Sequence, residues 1–82
     1  MRVLTTDVFC GAWLMCQGAR LVDLLVDRTG QREAGTFVFE GNDLLERQEE
    51  YSRGQAVAPV KGIRDGVTAL RARLARALRR AA

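Results

Sequence analysis

Two hydrophobic periods alternate along the chain. Val8, Phe9, Ala12, Trp13 and Cys16 stand at i, i+1, i+4, i+5 and i+8, one face of a helix. Thr5, Thr6 or Asp7 supplies its N-cap, since each side-chain oxygen can accept from an orphan amide one turn later. Gly18 is the natural stop, where a left-handed residue costs least. Ahead of this helix, residues 2–5 can form a short strand supported by Val3 and Leu4.

From Ala19 to Asp27 the period becomes two. Val22, Leu24 and Val26 point one way; Leu21, Asp23, Leu25 and Asp27 point the other. A polar, charged run, Arg28 to Gly35, reads as a loop. Thr36-Phe37-Val38-Phe39-Glu40 follows, β-branched and aromatic, a second strand. The two strands are expected to pair as an antiparallel hairpin with Phe37 and Phe39 on the core face. Gly41-Asn42 breaks the chain; Asn42 is the expected N-cap of a second helix, with Asp43 and Glu46 complementing its dipole. Leu44, Leu45, Gln48 and Tyr51 mark the inner face of that helix, and Gly54 ends it. Gln55 to Ala58 is extended, because the residue before Pro59 is pushed away from helical angles.

Pro59 fits the first position of a last helix, although Gly62 and Gly66 weaken its opening turns. Asp65 is an alternative N-cap, so the start falls between Pro59 and Gly66. Ile63, Val67, Leu70, Leu74, Ala77 or Leu78, and Ala81 recur at spacings of four and three, a continuous apolar stripe. The order (β)-α-β-β-α-α predicts one small α+β domain over residues 1–82. Its hairpin would be covered on one face by the first two helices and the root of the third.

Charge divides the same chain differently. Thirteen basic and ten acidic residues give a net +3. Residues 1–58 hold six basic and nine acidic residues, a body of −3; residues 59–82 hold seven basic and one acidic, a helix of +6. Arginine offers a planar fork of donors that matches phosphate oxygens in pairs. Arg71, Arg73, Arg76, Arg79 and Arg80, with Lys61 and Arg64, are therefore the candidate contacts to a nucleic-acid backbone. On a helical projection Arg64 and Arg71 flank one side of the stripe, Arg73, Arg76 and Arg80 the other, with Arg79 opposite it.

Three other readings of these charges compete. Basic residues are favoured near a helix C-terminus. Twelve arginines to one lysine, with abundant alanine and glycine, match GC-rich coding. The helix can also complement an acidic surface, its own body or a partner. Residues 59–80 would span roughly 33 Å, outrunning so small a domain, so Leu70, Leu74 and Leu78 are the expected contacts to a protein partner or a second copy. In the rival reading the acidic body binds a basic protein surface through Asp23, Asp27, Glu33, Glu46, Glu49 and Glu50.

Composition narrows the chemistry. The hydrophobic class makes up 48% of the chain, but eleven of those residues are alanine. A chain this short buries roughly 60–65% of its unfolded surface, which leaves no room for a second domain or a deep cleft. There is no histidine, one serine (Ser52) and one lysine (Lys61), so most nucleophile–base pairs are missing. Gly62-Ile63-Arg64-Asp65-Gly66 lacks the Lys-Ser/Thr ending of a phosphate loop. Asp23 and Asp27, four apart on a strand, are separated by about 13 Å, too far for an acid–base pair. Cys10 and Cys16, six apart on a helix, sit about 120° around and roughly 9 Å along it, too far for a disulfide, and without histidine they complete no zinc site. Both are expected to be small buried hydrophobes, and Trp13 a core residue. No enzyme, cofactor or metal is expected. The most apolar stretch, Val8 to Cys16, is far shorter than a membrane span of about 20 residues, and no signal-peptide pattern appears; a cytoplasmic protein is expected.

Thr5-Thr6-Asp7 opening a helix that runs to Gly18, then Phe37-Val38-Phe39-Glu40, Tyr51 with Gly54, and Pro59 before a basic helix together form a pattern over nearly the whole chain. It resembles a family of short bacterial and phage-borne proteins classed as a domain of unknown function. The resemblance implies a small α+β module encoded near phage or mobile-element genes and brings no catalytic residues. The expectation is a non-catalytic accessory protein of a nucleoprotein complex, its arginine helix on phosphates and its apolar stripe on a protein.

Overall fold

A computed structural model of the chain describes residues 1–27 and 34–81. The elements are β1 (Arg2–Thr5), α1 (Val8–Cys16), β2 (Arg20–Asp27), β3 (Ala34–Glu40), α2 (Leu44–Ser52) and α3 (Val60–Ala81). The fold is α+β, in the order the sequence predicts, with the three strands in one antiparallel sheet ordered β1-β3-β2. Most of the expected 28–35 loop, including Glu33, lies outside the described residues.

The central strand carries the core. Phe37 and Phe39 are fully buried; Val3 of β1 pairs with Phe39, and Leu24 of β2 pairs with Phe37. Alternation along β2 is interrupted: a bulge at Val22 lets Leu21 pair with Phe39 and Asp23 with Val38. Leu21 therefore shares the core face with Leu24, opposite to the expected phase, because the extra residue resets a period of two. Leu4 and Leu25, which pair with Val38 and Thr36 on the other face, remain about half exposed.

Helix α1 begins where Asp7 caps it, its Oδ1 accepting from the amides of Phe9 (2.9 Å) and Cys10 (3.3 Å). Past its end Gly18 takes φ +92°, a conformation a side chain would strain. Five consecutive residues, Cys10 to Leu14, are buried, so α1 is enclosed on several sides rather than along one stripe. Two expectations fail for that reason: Phe9 is 50% exposed, and Cys16 is exposed as well. They stand seven apart on one side of the helix, at the edge of its contact with α3, where Arg71 lies over the Phe9 ring and Gly62 lies near Cys16 Sγ. Trp13 is buried as expected and its indole Nε1 donates to the Val57 carbonyl at 3.1 Å, tying the extended 55–58 segment to α1.

Helix α2 starts one residue later than expected. Asp43, not Asn42, takes the N-cap position with φ 58°, and its side chain makes no capping bond. Its inner face is Leu44, Gln48 and Tyr51; Leu45 turns outward. Gln48 Nε2 donates to the Leu4 carbonyl at 2.9 Å, which fastens α2 to β1.

Helix α3 runs unbroken from Val60, with the Ile63 amide donating to the Pro59 carbonyl at 3.1 Å. Gly62 and Gly66 do not delay its start. A Cβ on Gly66 would come within 2.9 Å of Ala12 Cβ and 3.1 Å of Ala12 Cα; one on Gly62 would meet only Cys16 Sγ, at 3.1 Å. From the α1 side, a Cβ on Gly11 would reach 2.9 Å from Leu70 Cδ1 and 3.1 Å from the Phe39 ring. The two helices thus cross where small residues allow their backbones to touch. This packing offsets the helix-propensity cost of about 1 kcal/mol per glycine.

Gly66→Ala and Gly62→Ala separate the two effects. Gly66→Ala drives a Cβ into the Ala12 backbone and is expected to lower unfolding free energy by about 1 kcal/mol or more despite its better propensity. Gly62→Ala meets one exposed thiol that can swing aside and should gain about 0.5 kcal/mol. Urea denaturation followed by circular dichroism checks both signs.

Candidate nucleic-acid interface

The structure sorts arginines into two populations. In the body every described arginine is held by a carboxylate. Arg2 Nε and Arg20 Nη2 both reach Glu40, at 3.0 and 3.3 Å; Arg47 pairs with Glu50 at 3.0 Å and Arg53 with Glu49 at 3.4 Å. Among the described residues only Lys61 of α3 is paired, with Asp65 at 3.3 Å. Arg64, Arg71, Arg73, Arg76, Arg79 and Arg80 are exposed and have no ion pair among the described residues. Each body pair is solvent-exposed and worth little in stability, but together they cancel the body's positive charge locally and leave the positive field on one helix.

Geometry divides the free arginines as the helical projection does. Arg73, Arg76 and Arg80, with Ala77, form one wall of a groove whose other wall is Val22, Asp23 and Leu24 of β2. Asp23 is the acid in that groove, and its Oδ1 already accepts from the Leu24 amide at 2.8 Å. On the other flank the Arg71 guanidinium lies over the Phe9 ring, 6.0 Å from its centroid. Arg79 and Arg80 also occupy the last turn of α3, where they complement the helix dipole. Lys61, engaged with Asp65, is a weaker phosphate candidate than the six arginines.

Two of the three leucines expected to meet a partner, Leu70 and Leu74, belong to or pack against the protein's own core. Leu70 is 1% exposed and packs against Gly11 on α1. Leu74 is half-buried over the sheet, so close to Gly35 that a Cβ there would lie 2.6 Å from Leu74 Cδ1; Leu78 is half-buried too. The stripe lies over β2 and β3 through Leu74, so its presumed overhang is smaller than helix length alone suggested. The acidic face of the rival reading is likewise reduced: Glu49 and Glu50 are engaged with Arg53 and Arg47, and among the described residues only Glu46 and Asp23 of that face are exposed with no ion pair.

A second concavity, lined by Thr5, Asp7, Cys10, Gln48 and Tyr51, holds a contact that the sequence did not reveal. Tyr51 Oη donates to Asp7 Oδ2 at 2.9 Å across 44 residues of chain. Asp7 thereby caps α1 with one oxygen and anchors α2 with the other. Burial, then the Asp7 hydrogen bond and charge, push the Tyr51 hydroxyl up to about 12. Burial raises the Cys10 thiol as well. Both groups are therefore held in their neutral, unreactive forms at ordinary pH, and the hydrogen bonds in this cleft join elements of the fold. Among the described residues no three His, Cys, Asp or Glu side chains are grouped to hold a metal.

No family model matches the chain, and no curated protein or solved structure shows significant similarity to it.

The Asp7–Tyr51 contact has a pH signature. Because the folded-state hydroxyl ionises above its ordinary value of 10, the stability it contributes is complete below about pH 10 and is lost as pH rises towards about 12. The single tyrosine makes this directly readable by ultraviolet absorbance. Asp7→Asn is expected to lower the tyrosinate midpoint part of the way back to 10, since the burial component remains.

Proposed function

We propose that this chain is a non-catalytic accessory protein that binds nucleic-acid phosphates through α3, independently of sequence. The observation that carries the reading is the partition of ion pairs. Every described arginine of the body is neutralised by a neighbouring carboxylate, and none of the six on α3 has an ion pair among the described residues. Coding bias towards arginine would act on both populations alike and does not explain the difference. Helix-dipole preference accounts only for the last turn, and Arg64 and Arg71 lie well before it.

Arg73, Arg76 and Arg80 recur on one side of the helix beside β2, where all three line one groove. Such a row suits consecutive phosphates and carries no base-specific information. The rival reading, a module that binds a basic protein surface through the acidic body, is less well supported, because Glu49 and Glu50 of that face are already engaged with Arg53 and Arg47. Among the described residues no helix is long and apolar enough to cross a membrane.

Binding to random-sequence DNA and RNA as salt is raised tests the proposal. Affinity should fall linearly on a log–log plot as counterions are released. The triple variant Arg73→Ala/Arg76→Ala/Arg80→Ala removes three exposed charges and should reduce the slope by roughly 2 to 3, with little loss of thermal stability. Absence of binding by the wild type at low salt, or an unchanged slope in the variant, would overturn the phosphate reading.

A further inference from the structure

The exposed aromatic on α1 gives the ligand a more definite chemistry. Phe9 is 50% exposed in a chain that buries both its other phenylalanines completely. It is not idle surface, since Arg71 of α3 lies over its ring at 6.0 Å. Two features of single-strand recognition therefore stand side by side: a half-exposed aromatic ring and an arginine with no carboxylate partner among the described residues. Arg64, two helical turns earlier on the same flank of α3, is also exposed and unpaired.

We infer that Phe9 and Arg71 form a stacking platform for an unpaired nucleobase, so that the ligand of α3 is single-stranded nucleic acid. This rests on the phosphate reading above and narrows it. A base laid on the Phe9 ring gains sequence-tolerant stacking, because every base presents a π-face. Arg71 is placed to take the adjoining phosphate, or to stack its guanidinium plane on the same base. A duplex cannot use such a platform, because its bases are already paired and stacked; it offers only phosphates to the other arginines. The alternative role for Phe9, an apolar support for the Arg71 stem, needs no ligand and depends on bulk rather than on an aromatic face.

A labelled thymidine oligomer and a duplex of equal length, titrated with wild type, Phe9→Leu and Phe9→Trp, separate these roles. Phe9→Leu keeps the apolar bulk. It should weaken single-strand binding by about tenfold, the loss of one base–aromatic stack, with the salt slope unchanged and duplex binding unaffected. Phe9→Trp should retain single-strand binding, and the added indole emission should be quenched by the oligomer; in Phe9→Leu only buried Trp13 emits and should not respond. Single-strand binding by Phe9→Leu equal to the wild type, equal losses on strand and duplex, or no quenching in Phe9→Trp would overturn the platform while leaving phosphate binding in place. A wild type that binds neither ligand would overturn the phosphate reading and the platform with it.

Discussion

The fold depends on one close crossing. Gly66 of α3 lies against Ala12 of α1, and Leu70, four residues later, fills the space that Gly11 leaves open over Phe39. With α1 held this tightly, residues Cys10 to Leu14 are buried together, and a chain of 82 residues obtains a core despite having eleven alanines in its hydrophobic class. Interiors packed at this density tolerate little added volume. The crossing therefore fixes both the position of α3 and its rotation about its own axis.

Rotation is what gives the charge pattern meaning. With Val67 and Leu70 turned inward, the arginines of α3 have nowhere to go but its flanks and outer side. One flank meets β2, where Arg73, Arg76 and Arg80 share a groove; the other meets Phe9 through Arg71. The described arginines of the body are meanwhile tied to Glu40, Glu49 and Glu50. A modest net charge of +3 is thereby arranged as an acidic body of −3 and one cationic helix of +6, a field able to steer a polyanion.

Local signals in the sequence were legible because they are governed by local physics. The Asp7 cap, the Gly18 stop, the Phe37–Phe39 strand and the inward stripe through Val67 and Leu70 all follow from neighbours within two turns or one strand. What escaped depends on distant partners. The bulge at Val22 appears only once β2 has a register against β3. Gly62 and Gly66 read as weak helix formers until α1 lies against them. Phe9 sits in a helix of nine residues with no polar side chain to mark the outward side, so an apolar pattern alone pointed it inward. Asp7 and Tyr51 are 44 residues apart, and Glu40 joins arginines 38 and 20 residues away. The candidate arginines were readable as a cluster; that none of them has a carboxylate partner among the described residues was not.

The central claim is that the unpaired arginines of α3, and not the acidic body, meet the ligand. Nuclear magnetic resonance of the arginine side-chain Nε–H groups, followed as a thymidine oligomer is added, tests it residue by residue. The account predicts that the signals of Arg71, Arg73, Arg76 and Arg80 shift together and lose their shifts as salt is raised, while those of Arg2, Arg47 and Arg53, held by carboxylates, stay in place. Shifts spread equally over both sets, or confined to the body arginines, would contradict it.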